Sequence, residues 1–320
     1  MIESLTQPTK DLINISTAHE SKPVAEQTSH DLRERLRDPN FLPSFHELSR
    51  HIKAVEQVVL DPSPSNPAYA DWREWIALCE DKSDPIFEFW TREYINALAS
   101  YLGQRVLELG GTKVNPLTVL EVGAGNGKLT RHLAEALEKL IPGKARIVAT
   151  DSGEWNISAD FPVENIQLAE ALEKYQPSLV ISSWMPNTVD LTADFRTQKS
   201  VREYLLIGDL NSCGDLENSW GENGMEDAQP PFEADGFERK DLEELCKLQI
   251  SRSDLRVLSR SLTTSFRTNK EEVSTAALTE APTQTSTVNK SIPINPATPK
   301  IDEDIRKKPH WLDIFSRRKR

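Results

Sequence analysis

The stretch Val119-Leu-Glu-Val-Gly-Ala-Gly-Asn-Gly-Lys-Leu129 compresses a strand, a turn and a helix start into eleven residues. Val119, Leu120 and Val122 read as a buried strand. Gly123, Gly125 and Gly127 remove the β-carbon at alternate positions, so the chain can turn sharply and a ligand can approach bare backbone. From Lys128 onward, Leu129, Leu133, Leu137, Leu140 and Ile141 recur at helical spacing, and the start of that helix turns free N–H groups toward the same place. The three pieces predict the first half of a Rossmann-like βαβ unit with a nucleotide-type ligand at its turn.

Working outward, the run from Asp84-Pro85 to about Leu109 predicts one helix with Phe87, Trp90, Tyr94, Leu98 and Leu102 near a common face. Beyond the motif, Ala145–Asp151, Asn165–Leu168, Leu179–Ser183 and Tyr204–Asp209 read as further strands separated by helical stretches. That alternation predicts an α/β fold: a Rossmann-like, mostly parallel sheet covered on both faces. Leu248–Ser253 and Ser261–Arg267 are expected to close it as an edge hairpin. The expected domain spans 84–268 and includes an acidic loop at 214–244. Before it, 31–83 reads as a helical N-terminal extension, broken at Asp61-Pro-Ser-Pro-Ser-Asn-Pro67. Residues 1–30 and 269–320 are polar and aperiodic, so both are expected to be disordered, the second with a basic end.

A net charge of −12 argues against nucleic acid or an anionic membrane as a partner for the whole surface. The charge is unevenly placed. Gly214–Glu244 holds eleven acids against two bases, and Ile305–Arg320 holds seven bases against one acid. The acidic stretch reads as a solvated loop, or as a lid attracting a cationic acceptor. The basic end, with Trp311, Leu312, Ile314 and Phe315, reads as a docking segment (305–320) or a nuclear import patch. Three scattered cysteines without a CxxC pair predict reduced thiols and no metal site. With no secretory-type segment at Met1–Lys22 and no apolar run long enough to span a bilayer, the cytoplasm, or the nucleus if the basic end acts as an import patch, is the expected location.

Glycines at 123, 125 and 127 give GxGxG rather than the dinucleotide GxGxxG, with Glu121 two residues ahead. This pattern resembles motif I of the class I S-adenosylmethionine-dependent methyltransferases, an acid followed by x-Gly-x-Gly-x-Gly and a helix. Asp151 lies 24 residues past Gly127, at the end of the second strand, where that family places the acid that chelates the ribose hydroxyls. The resemblance implies S-adenosyl-L-methionine as cofactor and a sheet of about seven strands. It further implies that Gly123 and Gly125 line the methionyl end, that Glu121 orients it and that Gly127 belongs to the same cofactor site. Asp151 would hold the ribose, and Ser152 would border the adenine. Gln167 stands where the family often has an acid for the adenine amine, and accepts the same bond.

Ser183 and Trp184, in Ser183-Trp-Met-Pro186 after the fourth strand, occupy the place where donor and acceptor meet in that family. The tetrapeptide matches neither an Asn/Asp-Pro-Pro-Tyr box nor a Pro-Cys nucleophile, and suggests an aromatic and sulfur-lined wall of Trp184 and Met185. Asp190 and Asp209, with Asp215 as a third choice, are candidate bases on loops at strand C-terminal ends. The function expected is in-line methyl transfer to a small molecule or a protein side chain. Two other readings are a catalytically inactive methyltransferase-like partner-binding protein and an NAD(P)-dependent oxidoreductase.

Overall fold

A computed structural model describes residues 28–222, 229–256 and 261–268. Of the segments expected to be disordered, 1–30 and 269–320, residues 1–27 and 269–320, and with them the basic 305–320 end, lie outside the described residues. Within the helical extension, α1 (Ser29–Leu36), α2 (Phe45–Leu60) and α3 (Tyr69–Cys79) precede α4 (Arg92–Glu108). The α1 helix starts two residues earlier than expected because the Thr28 hydroxyl accepts from the Asp31 N–H and Asp31 returns the bond. Then follow β1 (Leu117–Val122), α5 (Lys128–Leu140), β2 (Ala145–Asp151), β3 (Glu164–Asn165), α6 (Leu168–Tyr175), β4 (Leu179–Ser183), α7 (Thr192–Thr197) and β5 (Glu203–Asp209). The chain continues through α8 (Pro231–Ala234), β6 (Phe237–Asp241), α9 (Glu243–Cys246), a 3-10 turn (Arg252–Leu255) and β7 (Ser261–Thr268).

The strands form one sheet in the order β3-β2-β1-β4-β5-β7-β6. Pairings from β3 through β5 are parallel, and β7 is antiparallel to both β5 and β6. The Rossmann-like sheet of about seven strands is therefore borne out. Its order parts from the dinucleotide-binding order 3-2-1-4-5-6 because β7 stands between β5 and β6.

Alternation along the central strands explains why both faces are apolar. Val119, Leu179, Ile181, Leu205 and Ile207 project to the face covered by α4 and α5, where Leu98, Leu102, Leu133 and Leu137 meet them. Their neighbours Leu120, Val180, Tyr204 and Leu206 project to the other face, against Leu172 of α6 and Phe195 of α7. Each fully buried Leu or Val stabilises the fold by about 1.5–3 kcal/mol relative to exposure. A third cluster joins the extension to the domain: Leu48, Ile52, Trp75 and Leu78 pack on Phe89, Ile250 and Leu255. Among the described residues no helix is long and apolar enough to cross a membrane.

Three expectations are corrected. The helix expected from Asp84 begins at Arg92, because the Thr91 side chain accepts from the Tyr94 N–H and caps it there. Residues 84–91 are not helical, and Glu88 bridges to Ser251. The expected edge hairpin of 248–253 with 261–267 does not form. β7 lies inside the sheet, and its outer partner β6 comes from the acidic stretch, so the described parts of 214–244 include helix and strand rather than loop alone. Charged side chains suit β6 as an edge, with Glu238 and Lys240 exposed. The third strand is only Glu164–Asn165, and Leu168 already belongs to α6.

Candidate functional site

Strand order reverses between β1 and β4, and ligands of open parallel sheets sit in the crevice beyond the strand C-termini at that point. The β1 wall is the glycine turn. Gly123, Gly125 and Gly127 have φ of +66°, +54° and +77°, a region that side chains other than glycine adopt at a cost of about 1–2 kcal/mol. A β-carbon added to Gly123 would meet nothing within 4 Å, so this turn presents bare backbone to open space. At Gly127 it would stand 2.7 Å from Val163 Cγ2, and at Gly125 3.5 Å from Ile157 Cδ1. The β2–β3 connection thus lies along the outer side of the turn.

Polar side chains fix the turn from below. Asp151 Oδ2 accepts from the Gly125 N–H at 2.9 Å, and Oδ1 accepts from the Gly153 N–H at 2.8 Å. A carboxylate has about four lone-pair sites, so Asp151 can accept two more donors. The first turn of α5 is less open than expected, since the Lys128 N–H donates to Asn126 Oδ1 and the Thr130 N–H to Glu121 Oε2. Glu121 is buried, which pushes its carboxyl up to about 7 despite the two Thr130 bonds, and every recorded bond uses Oε2. Asn126 also donates to Asp84 Oδ1 at 2.7 Å, tying the turn to the segment before α4.

Ser152 lies half-buried beside Asp151, and its hydroxyl accepts weakly from the Glu154 N–H at 3.4 Å. Gln167 is the exposed N-cap of α6 and makes no capping bond with its side chain.

The β4 wall is built from side chains. Ser183 ends β4 opposite Ile207, and the Trp184 N–H donates to the Ile207 carbonyl at 2.8 Å. Trp184 sits at φ +56°, a conformation costing on the order of 1–3 kcal/mol and characteristic of functional sites. Its indole N–H donates to Glu88 Oε2 at 2.9 Å, and its ring lies 5.6 Å from that of Phe87. Phe87 also faces Trp155 at 6.1 Å, so one aromatic ring spans the loops after β2 and β4. Gln249 donates to the same Glu88 oxygen at 3.3 Å and connects through Thr263 to Tyr94. Burial pushes the Glu88 carboxyl up to about 8, and its Oε1 is buried without a partner.

The candidate bases occupy other settings. Asp190 Oδ1 accepts from the Thr192 N–H, the Thr192 hydroxyl and the Ser219 hydroxyl, which ties the α7 start to the loop after β5. Asp209 is buried at the end of β5 and accepts from the Asn211 N–H. Asp215 Oδ1 accepts from the Glu217 N–H, the Asn218 N–H and the Asn218 amide. All three hold turns. The sulfur half of the expected wall is overturned: Met185 is buried in the core behind β4, where its Sδ accepts from the Leu191 N–H. Glu88 and Arg252 were missed by sequence reasoning, and Phe87 was placed on a helix that begins only at Arg92. The Thr91 cap was the available signal that Phe87 and Glu88 precede the helix; nothing local marks Arg252.

No family model matches this chain, nor does any curated protein sequence. Solved structures similar to it include a 23S rRNA methyltransferase (17% identity, TM-score 0.30, covering 54% of this chain and 68% of that one). The methyltransferase domain of a citrinin polyketide synthase shows 18% identity and a TM-score of 0.31 over 54% of this chain and 52% of its own. A methyltransferase from Agrobacterium tumefaciens shows 11% identity and a TM-score of 0.28 over 53% and 61%. The chain thus spans little more than half of the second and under two thirds of the third. At such identities the likeness concerns the α/β fold alone, and the strand order above describes that fold independently.

Proposed function

We propose that the chain is an S-adenosylmethionine-dependent methyltransferase acting on a small-molecule or protein acceptor. The observation that carries this reading is the open left-handed turn at Gly123, beside an acid, Asp151, that grips Gly125 and keeps lone pairs for two further donors. That combination fits a ligand with a vicinal diol and a small charged end. Gly123 supplies close backbone approach, Asp151 accepts from ribose hydroxyls, and Glu121 Oε1 accepts from the ammonium end. Ser152 and Gln167 border the base. When bound, the cofactor supplies an activated methyl group on a sulfonium.

The remaining work of the protein is positional. Trp184, held by Glu88 and Ile207, offers a ring face toward a cation and shields the crevice from water. Asp209, at the end of β5, and Asp190, just before α7, are the two candidate bases. The GxGxG spacing and the antiparallel β7 both favour this cofactor over a nicotinamide dinucleotide.

Calorimetric titration with S-adenosylhomocysteine and, separately, with NAD tests the reading. Saturable binding of the first and none of the second is expected. Folded protein that ignores S-adenosylhomocysteine would sink it.

A further inference from the structure

The segment before α4 and the turn before β7 meet as a short antiparallel contact. The Phe89 N–H donates to the Ile250 carbonyl at 2.8 Å, and the Arg252 N–H donates to the Phe87 carbonyl at 3.0 Å. Glu88 and Arg252 lie on these facing segments, yet they do not pair with each other. Glu88 turns inward to Trp184 and Gln249. Arg252 instead lays its guanidinium over the Phe87 ring, 5.0 Å from the centroid.

Four other arginines with buried or half-buried side chains have carboxylate partners among the described residues. Arg33 pairs with Asp71 and Glu74, Arg105 with Glu203, Arg196 with Asp235, and Arg239 with Glu222 and Asp241. Arg252 is half-buried and has no hydrogen-bond or ion-pair acceptor for its guanidinium among the described residues. Burial, with Arg256 nearby, lowers its pKa from the usual arginine value, although Glu80 acts in the opposite direction. A planar five-donor fork in such a setting matches a carboxylate or a phosphate bidentately. The surface beside it is aromatic, since Phe87 contacts both Trp155 and Trp184.

We propose that Arg252 is the recognition residue for an anionic acceptor, an organic molecule whose carboxylate or phosphate group it clasps while its apolar body packs against Phe87 and Trp184. Calling that molecule the acceptor rests on the methyltransferase reading; the anion site does not. The sign is opposite to the cationic acceptor that the acidic stretch at 214–244 suggests.

The test titrates benzoate, phenyl phosphate, benzyl alcohol and benzylamine into the full chain, with binding followed by saturation-transfer NMR. The same titrations are run on Arg252→Gln and Arg252→Lys variants, whose thermal midpoints confirm folding. At least one anionic probe is expected to bind roughly tenfold tighter than the alcohol. Glutamine should abolish that preference, lysine should retain part of it, and benzylamine should bind no better than the alcohol. Whichever of benzoate and phenyl phosphate wins assigns the group. Anions binding no tighter than the alcohol, or a preference that survives glutamine, would overturn the proposal.

S-adenosylhomocysteine titrated into the glutamine variant should bind as it does to the wild type. A tenfold loss would mean that Arg252 serves the cofactor's own carboxylate, which would overturn its assignment to the acceptor. Wild-type protein that prefers the anions but does not bind S-adenosylhomocysteine would sink the methyltransferase reading and leave the anion site standing.

Discussion

The two walls of the crevice are made of different material. The β1 wall is backbone: three glycines in left-handed conformation, with Asp151 and Glu121 bonded to N–H groups of the turn and of α5. The β4 wall is side chain: Trp184, Phe87, Glu88 and Arg252, brought together from three segments up to 165 residues apart in sequence. A backbone wall suits a part of a ligand that does not change between related proteins, because every substitution except proline keeps the N–H group. A side-chain wall can be rebuilt one residue at a time, so substrate choice is expected to reside there.

The sharpest way to break the contrast is to add one carbon to the backbone wall. Gly127→Ala forces a left-handed alanine and drives its β-carbon to 2.7 Å from Val163 Cγ2, so urea unfolding should show a loss of about 3 kcal/mol. Gly123→Ala carries the same backbone strain without the clash, and should lose only about 1–2 kcal/mol while weakening S-adenosylhomocysteine more than Gly127→Ala does. Equal stability losses at the two positions would show that crowding by the β2–β3 connection does not distinguish them.

Asp151→Ala comes next. It removes two charge-assisted bonds, to Gly125 and Gly153, together with the proposed diol contact. Calorimetry should show S-adenosylhomocysteine binding weakened about 100-fold. A loss under threefold would take the ligand away from this wall.

How much was legible in the sequence follows the same division. Strand, turn and helix at 119–141 announce themselves because their geometry is local: glycines demand the turn, and apolar periodicity demands the helix. Asp151 was found at a spacing in the next strand. The β4 wall depends on pairings across the chain, such as Phe87 with Arg252 and Glu88 with Gln249, and no window of sequence contains both partners. The edge was misread for a related reason. Ser261–Thr268 pairs with Glu203–Asp209 and with Phe237–Asp241, a charge-rich strand that its composition disguises as loop. Asp190 and Asp215 looked like bases because a loop acid and a turn-holding acid are the same letter; only their three accepted bonds tell them apart.

The walls should also separate by pH. Burial holds the Glu121 proton to about 7 and the Glu88 proton to about 8, against 4.5 for an ordinary glutamate. Both folded values are raised, so the stability each neutral carboxyl contributes is complete below pH 4.5. It is lost as pH rises through about 7 for Glu121 and about 8 for Glu88. Between pH 7 and 8 Glu88 carries most of the remaining change, at most about 1.4 kcal/mol per pH unit for that one group. Glu88→Gln should flatten denaturation midpoints across that interval and roughly halve the slope between pH 5 and 6.5, where both carboxyls are protonated in the folded chain and ionised in the unfolded one. An unchanged slope above pH 7 would place another group in charge of it.

The smallest expected effect concerns Asp190, and it bears on where the side-chain wall ends. Its Oδ1 binds the Thr192 N–H, the Thr192 hydroxyl and the Ser219 hydroxyl, all of which an asparagine oxygen can still accept. Asp190→Asn therefore exchanges charged for neutral bonds in an unchanged turn and should cost less than about 1 kcal/mol in urea unfolding. Binding of S-adenosylhomocysteine and of the anionic probes should move by less than threefold. If Asp190 instead faces the reacting atoms, removing its charge should strengthen anion binding at Arg252 by relieving repulsion across the crevice. A gain of tenfold or more would extend the side-chain wall to α7.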